Sequence, residues 1–304
     1  MSEKEKIAPE QIIALDTGSG DNKVMTVNGT FKFPSAIERV RESSTGFGAN
    51  DTDTIFYNGY HYRVGEKALN NPITTRGFGF LESYSPISLY EAIRRAGLDM
   101  SKPIGVKVGL SIKDWHKSDE YIKALSNIIV NGEKLNTEVV ALFAQGQGSY
   151  IDAGSPKGLV VVVDIGYNTL DFLIFEDGKA LGSECFATTR GANVIIRNIQ
   201  SMLNKEYHTE ISEQKAKDAF NKGAFRDFGQ TIDISDKIQL EKDKYVEELI
   251  EELRNRSGDV LRNADKVIFT GGGAYFIEGA ELPPNAELGN APYEFSNARG
   301  YFNG

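Results

Sequence analysis

Three short stretches of this 304-residue chain join acidic residues, glycines and small polar side chains in a way that suits phosphate and metal chemistry. The first is Asp16-Thr17-Gly18-Ser19-Gly20-Asp21-Asn22-Lys23. From Gly18 to Asp21 the side chains are small, so backbone N–H groups could approach phosphate oxygens closely, and Lys23 adds a positive charge. Asp16, at the end of an apolar run, suits the water shell of Mg2+, which takes few carboxylates directly and keeps its waters. The second stretch, Asp164-Ile165-Gly166-Tyr167-Asn168-Thr169-Leu170-Asp171, has the same design, with Gly166 to Thr169 toward phosphate and Asp164 and Asp171 toward the metal through water. The third is Thr270-Gly271-Gly272-Gly273-Ala274. Successive glycines are costly in chain entropy, a cost offset where a flat ligand lies on bare backbone. A positive φ is expected at Gly273, and a helix starting there would aim N–H groups at a phosphate. Taken singly, each stretch also reads as an ordinary turn in which Asp and Gly serve only turn geometry.

The elements that must carry these stretches are legible around them. Ile12 to Leu15 is an apolar strand entering the first turn, and Lys23 to Val27 is a strand leaving it. Residues from about 31 to 84 form an insertion, with a hairpin over Ile55 to Tyr62 turning at Asn58-Gly59. A helix is expected over Ile87 to Ala96 with Gly97 as its stop, a strand over Gly105 to Leu110, and a helix over Asp119 to Ile129. After the strand Val139 to Phe143, a polar glycine-rich stretch from Gln145 to Gly158 separates the halves. The second half opens with the buried strand Leu159 to Val163, which leads into the second motif and a strand over Asp171 to Phe175. Helices are expected over 192–203, 212–222 and 242–254, and a strand over Val267 to Phe269 leads into the three glycines. Asp16 and Asp164 lie about 150 residues apart, each on a strand–turn–strand, so the chain reads as two related domains.

Composition limits the alternatives. Acidic residues outnumber basic ones, 43 to 34, for a net charge of -9, which excludes a globally basic surface and argues against direct sequence-specific binding of nucleic acid. The single cysteine, Cys185, reads as core filler and suits a reducing cytoplasm. The longest apolar run, Leu159 to Val163, is far too short to span a membrane, and the charged start Met1 to Lys6 is not followed by an apolar signal core. His61, His116 and His208 are scattered without ligand spacing, so neither a zinc site nor a Ser-His-Asp triad is supported.

In order, spacing and strand context, the three motifs resemble the phosphate and adenosine motifs of the actin, sugar-kinase and heat-shock-chaperone ATPase superfamily. Within it, Asp164 to Asp171 is similar to the D-[IL]-G-x-x-T-L-D form of ParM-type plasmid-segregation proteins. The segment Asn297-Ala298-Arg299-Gly300-Tyr301 is similar to their closing N-x-x-G-[MY]. The resemblance implies an α/β, actin-like (ribonuclease H-like) fold with two related domains around a nucleotide cleft. Domain I would take residues 1–148 and 291–304; domain II would take 149–290, with its own insertion at about 192–255. It implies ATP or ADP with Mg2+, with GTP as an alternative nucleotide, and hydrolysis coupled to a filament of the chain with itself. It also implies plasmid movement through a small DNA-binding adaptor. Asp16, Asp164 and Asp171 would hold the hydrated metal. Gln145 would position the attacking water, or else merely satisfy loop hydrogen bonds; Lys217, on the helix after Ser212, would meet the adenosine, or else line a solvated face. A small-molecule kinase or a non-polymerising nucleotide-binding regulator of the same superfamily are the alternatives.

Overall fold

The structure, a computed structural model, describes residues 9–40, 53–74 and 77–304; the charged start and part of the 31–84 insertion lie outside the described residues. The chain divides into two compact units, Met1–Gly154 with Phe295–Gly304, and Ser155–Glu294.

The first unit is built on a five-stranded sheet in the order Thr137–Ala144, Ile104–Leu110, Gln11–Thr17, Asp21–Thr26, Gly29–Pro34. The first three strands run parallel, and the last two fold back antiparallel as successive hairpins. The central strand is apolar on both faces, with Ile13, Ala14 and Leu15 fully buried. It packs against the helix Phe78–Ala96 and the C-terminal helix Ser296–Asn303, which is why it reads as a continuous apolar run rather than an alternating one. Gly97 ends the long helix in the left-handed conformation that favours glycine. A separate three-stranded sheet of Ile37–Val40, Tyr60–Val64 and Ile55–Tyr57 occupies the insertion.

The second unit repeats this plan. Its sheet runs Ala286–Leu288, Lys266–Thr270, Leu159–Ile165, Leu170–Glu176, Lys179–Ala180, with Phe186–Thr188 also pairing with Leu170–Glu176. Again three strands are parallel and the hairpin returns antiparallel. Val160 to Val163 are fully buried, and one face of the sheet is covered by helices Asn193–Glu206, Glu213–Lys222 and Ser235–Asn263. The equal strand order and direction in the two units are what a duplicated element predicts. Cys185 sits at this sheet's edge, where its thiol meets the Ile174 N–H and the Leu181 carbonyl and burial pushes its pKa up.

Three expectations are corrected. The helical segment Ser235–Asn263, kinked at Ser257, is far longer than 242–254: Ile238 extends its buried stripe seven residues before Tyr245, and Val260 and Leu261 pack partly on the core at the other end. Ile129 and Val130 leave the helix Ser118–Ser126 and pair with Glu133–Lys134 instead. The stretch from 145 to 158 contains a helix, Gln147–Asp152.

That last helix is held by the C-terminal one. The Asn297 side-chain oxygen accepts from the Gly146 and Ser149 N–H groups at 2.9 and 3.2 Å and from the Ser149 hydroxyl at 3.2 Å. Arg299 donates twice to Asp152, at 2.8 and 2.7 Å, and Tyr301 stacks on Phe143. Gly300 lies so close to Gly148 that a side chain would overlap its carbonyl oxygen. Gly300→Ala is therefore expected to cost about 3 kcal/mol by overpacking. A thermal melt of the variant checks this, and an unchanged midpoint would contradict the close crossing.

Candidate functional site

In an open α/β sheet, ligands collect at the carboxyl ends of parallel strands, where the loops leave the sheet. The three phosphate and adenosine stretches singled out from the sequence fall on such ends. In the first unit, Asp16 is the penultimate residue of its strand and is 5% exposed. Its cross-strand partner is Lys23, so the two side chains share a face, and Nζ stands 3.5 Å from the carboxylate. A side chain at Gly18 would overlap the Lys23 ammonium, so this glycine keeps the ammonium's path across the turn open. Ser35 anchors the turn from outside: its hydroxyl donates to the Gly18 carbonyl at 2.5 Å and its N–H to the Gly20 carbonyl at 3.1 Å. Gln145 follows the parallel strand Thr137–Ala144, and its N–H donates to the Leu110 carbonyl at 2.9 Å. Two strand spacings separate it from the Asp16 strand, about 10 Å. The neighbouring Gln147 side chain accepts from the Ala144 N–H at 3.2 Å.

The second unit gathers more of the residues. Asp164 and Asp171 are cross-strand partners, 7% and 2% exposed, and Thr270 flanks Asp164 on the other side. Register partners project to one face, so two buried carboxylates lie side by side. The Asp164 carboxylate takes the space that a side chain at Gly271 would need, and Gly271 adopts φ +81°. The hairpin closes through Gly166 N–H to the Thr169 carbonyl at 2.9 Å. Tyr167 donates to Glu213 at 2.9 Å, and the Lys217 ammonium lies 5.0 Å from its ring centre. Lys217 thus stands at the second hairpin, joined to it through an aromatic face.

The glycine turn differs from its expectation. Gly273 has φ -84°, and it leads into one 3-10 turn, Ala274–Phe276, rather than a helix. Three of its N–H groups are taken within the protein: Gly273 donates to Ile165, Ala274 to Gly271 and Phe276 to Gly273. A side chain at Gly273 would overlap Ile165. Only Gly272 presents open backbone, with Glu294 Cβ the nearest neighbour at 3.9 Å from where its own Cβ would stand. Beside it, Tyr275 packs on Tyr293 and donates to Glu294 at 2.6 Å. Burial and that hydrogen bond push its phenol up to about 12, so it stays protonated and a donor across the neutral range.

Several residues were missed. Gly191 approaches Tyr167 and Asn168 so closely that a side chain would overlap their backbone. Ala192 and Asn193 donate to the Gly166 and Tyr167 carbonyls, and the Asn193 amide donates to Asn168 at 2.8 Å, forming a strap over the second hairpin. The signal was the run Arg190-Gly191-Ala192-Asn193 before a helix. Asn22 is fully buried, and neither polar atom of its amide has a protein partner. The equivalent position in the second hairpin holds Leu170, opposite Ile165 as Asn22 is opposite Thr17.

These observations bear on a nucleotide and its metal. No group of three or more His, Cys, Asp or Glu side chains able to hold a metal forms among the described residues. A Mg2+ ion is held by one or two carboxylates, water and phosphate oxygens rather than by a protein cage. The adjacent Asp164 and Asp171 suit such a cation, and the unsatisfied Asn22 amide suits a polar ligand.

Residues 14–148 match the family described as actin like proteins, N-terminal domain, and residues 162–280 match the archaeal actin homologue MreB-like C-terminal family. An archaeal actin homolog superposes with a TM-score of 0.79 at 21% identity, covering 96% of this chain and 98% of that one. Another structure of that homolog is a complex with ADP, with a TM-score of 0.77 at 20% identity over 95% and 97% of the two chains. A ParM chain from a 15-stranded filament of Clostridium botulinum gives 0.76 at 19% identity, over 97% and 98%. No curated protein matches.

The two neighbouring glycines should separate cleanly. Gly273→Ala is expected to lose about 2 kcal/mol of stability by overpacking against Ile165. Gly272→Ala should stay within about 0.5 kcal/mol of the parent. Chemical denaturation of both variants checks this, and equal losses would refute the difference in their surroundings.

Proposed function

We propose that this chain, whose fold is actin-like with similarity to ParM-type proteins, binds ATP with Mg2+, hydrolyses it and assembles head-to-tail into filaments. The observation that carries the reading is the repeated hairpin: each unit has a strand-end aspartate at the carboxyl edge of a sheet of the same topology. The first hairpin would receive phosphate oxygens on the backbone from Gly18 to Asp21, with Lys23 supplying positive charge. The second would do so from Gly166 to Thr169, held in shape by the Gly191–Asn193 strap. Asp164 and Asp171 would hold the hydrated Mg2+ in the second unit, and Asp16 is the corresponding acidic strand end of the first; the bound cation would neutralise charge on the transferred phosphoryl group. Gln145 would orient the attacking water. An amide is a poor base, but a loose phosphoryl-transfer transition state needs positioning more than proton abstraction. Gly272 would leave room for the adenosine, with Tyr275 as a fixed donor and Lys217 nearby. GTP would fit the same phosphate contacts.

Assembly follows from the likeness to filament-forming proteins. A heterologous contact that does not close into a ring gives an open polymer, and hydrolysis would release contacts made to the γ-phosphate. With a net charge of -9, DNA cargo such as a plasmid would be moved through a basic adaptor rather than gripped directly. We place this activity in the cytoplasm. Among the described residues no helix is long and apolar enough to cross a membrane.

Sedimentation of the full chain with and without ATP and Mg2+ tests the reading: a nucleotide-dependent pellet is expected, and a chain that stays in the supernatant under all conditions contradicts filament formation. Asp164→Asn should lower turnover by about 100-fold, with its melting point close to that of the parent. Gln145→Ala should lower kcat more than nucleotide affinity and lengthen filament lifetime. Parent-like turnover in either variant would remove that residue from the mechanism.

A further inference from the structure

Four two-residue hairpin turns among the described residues hold both central residues at positive φ: Asn58-Gly59, Asn131-Gly132, Asp177-Gly178 and Phe228-Gly229. The first three follow the rule for such turns, since Asn and Asp tolerate the left-handed conformation and glycine is free to adopt it. The fourth does not. Phe228 takes φ +41°, a conformation that costs a bulky L-residue on the order of 1 kcal/mol. It is also 99% exposed, the most exposed large hydrophobic side chain among the described residues. One residue therefore breaks both the turn rule and the burial rule, and among the described residues almost nothing covers it. Positions where local rules fail together are where function is expected.

The hairpin is firmly mounted. Its strands, Ala224–Asp227 and Gln230–Asp233, pair in register, and Phe225 at the base is buried against Tyr207. The Gly223 carbonyl accepts from the Ile234 N–H and the Ser235 hydroxyl. Phe228 is thus presented on a stiff arm, with little ordering entropy left to lose on binding.

We propose that Phe228 is an assembly contact, inserted into a second copy of this chain. This rests on the filament reading above and names a residue for it. Arg226 and Asp227 leave the tip without net charge, and the chain as a whole is at -9, which disfavours an anionic membrane as the acceptor. An aromatic anchor in a pocket of the next subunit is the usual form of an interface hot spot. A contact between a tip and a different surface is heterologous, as head-to-tail growth requires.

The test is Phe228→Asn, which restores the turn residue used at Asn58 and Asn131. The variant should melt at or above the parent temperature and bind ATP equally. Its critical concentration for sedimentation with ATP and Mg2+ should rise by about tenfold or more, as expected on losing a hot spot. Phe228→Tyr should assemble nearly as the parent does. If the parent assembles and Phe228→Asn assembles at the same concentration, the contact between copies is overturned, the result expected of a tip that faces an adaptor or a membrane. If the parent does not assemble with any nucleotide, the filament reading itself fails.

Discussion

The carboxylate of Asp164 fills the space that a side chain at position 271 would occupy. That single close approach orders much of the second unit. It requires glycine at the end of the strand Lys266–Thr270, and it places the aspartate between Thr270 and Asp171 on one face of the sheet. Two buried carboxylates side by side are costly unless a cation or hydrogen bonds offset their repulsion. The first unit solves the same position differently. There the residue opposite Asp16 is Lys23, and Gly18 makes room for its ammonium. The duplicated scaffold therefore offers a lysine beside one aspartate and a second carboxylate beside the other.

Positioning around these strand ends comes from distant parts of the chain. The strap at Gly191 to Asn193 fixes the second hairpin. It is tied in turn to the helix Ser235–Asn263, where Tyr245 donates to the Arg190 carbonyl and the Arg190 guanidinium donates to Glu248 and Glu252. In the first unit the C-terminal helix caps the turn that carries Gln145, through an asparagine 151 residues from Gly146. The closing segment singled out by resemblance thus has a physical role: Asn297 caps, Arg299 pairs and Gly300 allows the helices to touch.

The strand–turn–strand motifs were legible because turn chemistry and apolar runs are local properties. Asp16, Asp164 and the run Leu159 to Val163 all lie where periodicity and turn residues put them. The division of labour among the glycines was not legible. Whether Gly271 serves a carboxylate, Gly273 an isoleucine, or Gly272 open space depends on neighbours about 100 residues away in sequence, brought there by a parallel crossover. The helix Gln147–Asp152 was hidden for the same reason, since its support comes from Asn297 and Arg299 rather than from its own pattern. Asn22 escaped notice because a polar residue in a strand reads as outward-facing until its burial is seen.

The central claim is that this chain binds a nucleotide with its metal. Calorimetric titration of ATP into the full-length chain, first with Mg2+ and then with the metal chelated, addresses it most directly. The account predicts one molecule bound per chain, with affinity falling by about tenfold or more without Mg2+. Absence of binding heat and of any thermal stabilisation, or an affinity indifferent to the metal, would contradict it.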